Sequence, residues 1–131
     1  MRVLATLIGA HSCALGILML FAPGFMLRIT GFTQPVPPFF PSQSGIFLVI
    51  LGTCYLLTLV WSSFEIIILF SKVLAVMFLT IHVIFFAAPS IIWVADIGDA
   101  LMLAAFVGAL LWRKRQSGAR FKNHSNAYGA D

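Results

Sequence analysis

Residues 66–112 read IIILFSKVLAVMFLTIHVIFFAAPSIIWVADIGDALMLAAFVGALLW. Two apolar runs, 66–88 and 91–112, meet at Pro89 and Ser90. Each has about the 17–25 residues that a helix needs to cross a bilayer. Neither alternates apolar and polar residues as a membrane barrel strand does, and only helices and closed barrels span lipid. A connection this short makes the two helices antiparallel neighbours. Toward the N-terminus, residues 45–61 form a further run, joined to the pair by about four residues around Glu65. It is the shortest run, and residues 41–44 can supply its first turn. Residues 3–21 form the remaining run. They exceed the usual 7–15-residue core of a signal peptide and lack an Ala-x-Ala-like site, so they read as a retained anchor.

Composition agrees with four spans. Of 131 residues, 61% are hydrophobic and 9% charged, with a mean hydropathy of +1.05. Soluble domains carry roughly 45–50% and about 25%. So few charges cannot coat a soluble globule, and so apolar a chain is not intrinsically disordered. The expected fold is an all-α integral membrane protein: four transmembrane helices in an antiparallel bundle over residues 1–112, then a basic cytoplasmic tail, 113–131, whose residues 116–131 read as disordered by composition. A long loop, 22–44, separates the first two spans. It opens Pro23-Gly24 and continues FMLRITGF, which suits a short amphipathic helix lying in the interface. The proline-rich stretch 35–41 cannot be helical throughout.

Four spans place both termini on one side. Arg2, Lys72, Arg113, Lys114, Arg115, Arg120 and Lys122 share it, and Arg28 lies opposite. Seven against one is a positive-inside signal for cytoplasmic termini. Trp61, Trp93 and Trp112 mark helix ends, as an interfacial aromatic belt requires. The net charge of +4 therefore reads as a topology signal, with Arg113, Lys114 and Arg115 against lipid head groups. Nucleic acid is not an expected partner.

Ionisable residues inside a membrane are costly and are the first functional candidates. Here they are His11, Lys72, His82, Asp96 and Asp99. Asp96 and Asp99 share a face of the fourth helix, and reflection through the Pro89–Ser90 turn sets His82 level with them. The expected cluster is His82, Asp96 and Asp99, either a polar clasp locking the last hairpin or an outward-opening site. Lys72 has Glu65 seven residues earlier as a candidate ion-pair partner on the cytoplasmic side; alternatively it snorkels to the interface. Gly9, Ser12, Cys13 and Gly16 form a small-residue stripe that permits close helix contact, and His11 points about 200° from Cys13. Ala100, Ala104 and Gly108 form a second stripe. Both stripes, with His11, are candidate packing or partner faces. Cys13 and Cys54 read as small packing residues.

Three short motifs carry a resemblance. SQSGIF at 42–47, SKVLAVMFL at 71–79 and GDALM at 98–102 resemble the polar landmarks of small four-helix bacterial membrane proteins of the DoxX-like and BphX-like kind. The likeness covers residues 1 to about 115 and singles out Gln43, Lys72 and Asp99. It implies the four-helix architecture and an association with oxidases or oxidative operons, and it names no activity.

No nucleophile motif, redox cysteine pair or phosphate loop is present. The expected function is a non-catalytic accessory or structural subunit of a larger membrane complex of respiratory, photosynthetic or oxygenase type, in the bacterial cytoplasmic (inner) membrane. Its expected partners are the lipid bilayer and other membrane subunits. The alternative is a small carrier or binding protein for an apolar molecule, quinone or lipid, with the His/Asp cluster as its polar end. No cofactor is expected; a haem, metal or quinone would have to use the His and Asp residues named above.

Overall fold

The computed structural model describes residues 1–32, 37 and 39–128, with side chains to residue 117. The described chain is helical, and four of its helices are long and apolar enough to cross a membrane. Helix α1 runs Arg2–Phe21, α2 Pro23–Ile29, α3 Phe39–Leu57, α4 Glu65–Phe85 and α5 Ile92–Tyr128. A helix of 20 residues, such as α1, is about 30 Å long, the thickness of a bilayer's hydrocarbon core.

Element ends follow local chemistry. Pro23 starts α2 at its first position, where a missing N–H costs nothing. Gly31, at φ +80, follows the end of α2 in a conformation that side chains resist. Helix α3 begins six residues before the expected 45 and takes Pro41 into its first turn, where backbone N–H groups lack helical partners anyway. It also ends four residues before the expected 61. Thr58, Leu59 and Val60 close with three-residue turns onto Tyr55, Leu56 and Leu57. Beyond Phe85, Ala87 takes a left-handed conformation at φ +51 and the Ala88 N–H returns to the His82 carbonyl. The α4–α5 connection thus spans residues 86–91, wider than the expected Pro89-Ser90 hairpin. Helix α5 continues through Trp112 to Tyr128, so the backbone of the tail is helical over residues expected to be disordered. Residues 35, 36 and 38 of the proline-rich stretch lie outside the described residues.

Packing divides the helices into two pairs. Helices α1 and α3 approach through glycine. A Cβ on Gly16 would lie 2.7 Å from the Gly45 carbonyl oxygen, and one on Gly52 would lie 2.5 Å from Cys13 Sγ and 2.9 Å from the Gly9 carbonyl oxygen. Gly9 therefore faces Gly52, and Gly16 faces Gly45, so the register runs in opposite directions along the two helices. Spacing of seven on both keeps the glycines on one seam. Helices α4 and α5 form the second pair. The two pairs meet at Ala5, Ile8, Tyr55, Ile68 and Phe106, of which Ile8, Ile68 and Phe106 are fully buried. Large apolar side chains cover much of the exterior, among them Phe21, Phe70, Phe85 and Leu101. Such a surface suits hydrocarbon. In lipid, helix association rests on close van der Waals packing and interhelical hydrogen bonds, and these are what the glycine seam and the α4–α5 seam provide.

Candidate functional site: the α4–α5 polar seam

Among the described residues, the buried charged side chains lie between α4 and α5. Lys72, 5% exposed, donates from Nζ to Asp99 Oδ1 at 2.5 Å. Asp96, 4% exposed, accepts from the Thr80 hydroxyl on Oδ2 at 2.7 Å, and its Oδ1 is buried with no partner among the described residues. Where the span meets the basic tail, Arg113 binds Glu65 with two parallel hydrogen bonds of 2.7 and 2.6 Å, the fork geometry that a guanidinium offers a carboxylate. Beside Lys72, the Ser71 and Tyr55 hydroxyls lie 2.5 Å apart, tying α4 to α3.

This seam differs from the expected one in two ways. Lys72 pairs with Asp99 in place of Glu65, and Glu65 pairs with Arg113. With Thr80 level with Asp96, Lys72 sits about five residues short of Asp99, roughly 7–8 Å along the axis at ~1.5 Å per residue. Its four-carbon stem covers that distance by stretching toward the α4–α5 turn. The side chain thus runs into the seam and does not snorkel outward. His82 does not join the two aspartates. It lies two residues beyond Thr80, about 200° around the helix, so a helix that turns Thr80 to α5 turns His82 away. Its ring Nδ1–H donates to the Phe78 carbonyl at 2.8 Å, and the ring packs between Phe78 and Phe86 at centroid distances of 3.9 and 5.0 Å.

The other candidates separate cleanly. Gly9, Cys13 and Gly16 face α3, Ser12 beside them is buried, and His11 on the opposite side is exposed. Ala104 and Gly108 are exposed on α5, Ala100 is half-buried, and a Cβ on Gly108 would meet nothing within 4 Å. Gln43 is exposed near the start of α3, and Lys114 and Arg115 are exposed on α5. Cys13 and Cys54 are free thiols on neighbouring helices. No group of three or more His, Cys, Asp or Glu stands together among the described residues.

Thr80, Tyr55 and Ser71 were not singled out from the sequence. The available signal is spacing: Thr80 is eight residues, two turns, after Lys72 and so on nearly the same face. The known protein families, the curated proteins and the solved structures contain no match to this chain. The resemblance to DoxX-like and BphX-like proteins is therefore an expectation from the sequence.

Proposed function

We propose that this protein is a non-catalytic accessory subunit of a larger complex in the bacterial inner membrane, crossing the bilayer four times as an antiparallel bundle with both termini in the cytoplasm. One observation carries the reading: the chain closes one small-residue stripe and leaves the other open. The α1 stripe is filled by α3 down to backbone contact, whereas on α5 Ala104 is exposed and a Cβ on Gly108 would meet nothing within 4 Å among the described residues. Consistent with this, the spans of α1 and α3 bury 28% and 22% of their residues, and those of α4 and α5 only 11% each. Small residues admit a neighbouring backbone. An open stripe on the less covered pair is a seat for another subunit's helix, and the lipid tails of the bilayer cover the rest.

The seam supports a structural role. Lys72 and Asp99 close on each other, and Asp96 takes the hydroxyl of Thr80 across the same helix pair. The excess of basic residues on the tail side supports the orientation.

The test is gentle extraction of the tagged chain into nanodiscs followed by native mass spectrometry. The expected result is stoichiometric partner chains with the wild type and their loss in Gly108→Leu, which has room for the new side chain within its own fold. A lone chain with nothing attached, or an unchanged complex in Gly108→Leu, would overturn the reading. A second reading, a binding protein for an apolar molecule, is favoured by the cavity that His82 lines.

A further inference from the structure

Near the α4–α5 turn the protein holds a cavity of about 720 Å³. That is the size of a small-molecule pocket, about 300–1,000 Å³. Met19 of α1, Met26 and Leu27 of α2, Phe78 and Leu79 of α4, and Ile92 of α5 supply apolar walls. Methionine thioethers adapt to irregular apolar shapes. No charged side chain lines it.

Three polar side chains reach this space: Thr30, Ser44 and His82. Each has its donor hydrogen committed to its own helix. The Thr30 hydroxyl donates to the Met26 carbonyl at 2.7 Å, and the Ser44 hydroxyl to the Phe40 carbonyl at 3.0 Å. His82 Nδ1 stands 2.8 Å from the Phe78 carbonyl. A carbonyl only accepts, so the hydrogen sits on Nδ1. In the neutral ring Nε2 is then a lone-pair acceptor, and it has no partner among the described residues. The stacked rings of Phe78 and Phe86 hold the imidazole in this orientation. The side chains thus offer a neutral, apolar space with acceptors and no free donor. An occupant must bring the donor, no charge, and a long apolar body.

We propose that this cavity binds a neutral, lipid-sized molecule ending in a hydroxyl, with that hydroxyl donating to His82 Nε2. The apolar body lies against Met19, Met26 and Leu79, and α2 forms one wall over it. The proposal goes beyond the docking role and stands without it, since it concerns a pocket formed within a single chain.

The test uses the full-length protein, ¹⁵N-labelled at histidine, in phosphatidylcholine nanodiscs, titrated with 1-octadecanol and separately with octadecane. His82→Phe assigns the resonance and keeps an aromatic ring in the stack. The expected result is that octadecanol shifts the His82 Nε2 signal as a new hydrogen bond does while the Nδ1–H signal persists, and that octadecane shifts neither. Octadecanol should also bind roughly three- to tenfold more tightly than octadecane, the worth of one hydrogen bond, and His82→Phe should erase that preference. Equal binding of the two probes to the wild type, or bound octadecanol with an unmoved Nε2, overturns the proposal. The comparison of the two probes comes from the wild type alone, so it decides the proposal even if the variant misfolds.

Discussion

Lys72 and Asp99 form a buried ion pair, Nζ to Oδ1 at 2.5 Å, with side chains 6% and 18% exposed. Breaking such a pair leaves a lone charge where water cannot reach it, at a typical cost of about 3–5 kcal/mol. Removing both charges leaves only packing to repair. Lys72→Met and Asp99→Leu should each lower stability by an amount in that range, and the double variant should be more stable than either single one. Reversible unfolding in mixed micelles measures all three. Strictly additive losses would mean that the two groups do not interact.

Thr80 holds the other buried carboxyl. It is the donor to Asp96 Oδ2, and Asp96 Oδ1 already lacks a partner among the described residues. Thr80→Val preserves shape and removes the donor, leaving the carboxyl with no hydrogen bond from the chain. The expected loss is about 1–3 kcal/mol, the desolvation cost of an unsatisfied buried polar group. The same substitution at Thr53, whose hydroxyl binds only its own helix at an exposed position, should change stability little. Thermal unfolding of the two variants in parallel is the measurement, and equal behaviour would remove Asp96 from the list of groups that the seam must satisfy.

The four long apolar helices and the short helix α2 are legible in the sequence because length, apolarity and the Pro23-Gly24 start are local signals. The packing role of Gly9, Ser12, Cys13 and Gly16 is legible too, but its target is not. A stripe shows that a backbone can come close, without showing which backbone, and α3 supplies the matching Gly45 and Gly52 from a different part of the chain. The pairings of the seam are harder still. Reflection through Pro89 carries position 65 onto 113, so Glu65 and Arg113 could be read together. Depth alone also sets His82 beside the aspartates, and there it fails, because rotation about the helix axis decides which neighbour of Thr80 faces α5. Lys72 escapes the reflection altogether, since its long stem reaches a partner well away from its own level.

Glu65 and Arg113 join α4 to α5 at the end of the molecule that also holds Arg2 and Met1. The Arg113 side chain is 51% exposed, so its surroundings screen much of the attraction. Such pairs contribute up to about 1 kcal/mol and weaken as salt rises. Glu65→Gln should therefore cost less than about 1 kcal/mol at low salt and still less in high salt. Arg113→Lys should behave similarly, since an ammonium cannot make both parallel bonds. Unfolding midpoints across a salt series check this. A salt-independent loss of several kcal/mol would place the pair in a water-excluded site.

Glycine offers the sharpest contrast, because the same substitution meets opposite surroundings in one chain. At Gly16 an added Cβ lies 2.7 Å from the Gly45 carbonyl oxygen and 2.8 Å from the Val49 backbone nitrogen. Backbone cannot swing aside as a flexible side chain does, so α1 and α3 must separate. Gly16→Ala and Gly45→Ala should each cost about 1–3 kcal/mol, the usual range for overpacking. At Gly108 an added Cβ meets nothing within 4 Å among the described residues. There, alanine removes the conformational cost of glycine within a helix and should leave the isolated chain unchanged or more stable by about 0.5–1 kcal/mol. Unfolding of the purified chain measures the first effect, and co-purification measures whether Gly108 serves a neighbour. If Gly16→Ala folds as stably as Gly108→Ala, the close approach of α1 to α3 is wrong, and with it the assignment of the α1 stripe to the interior of the protein.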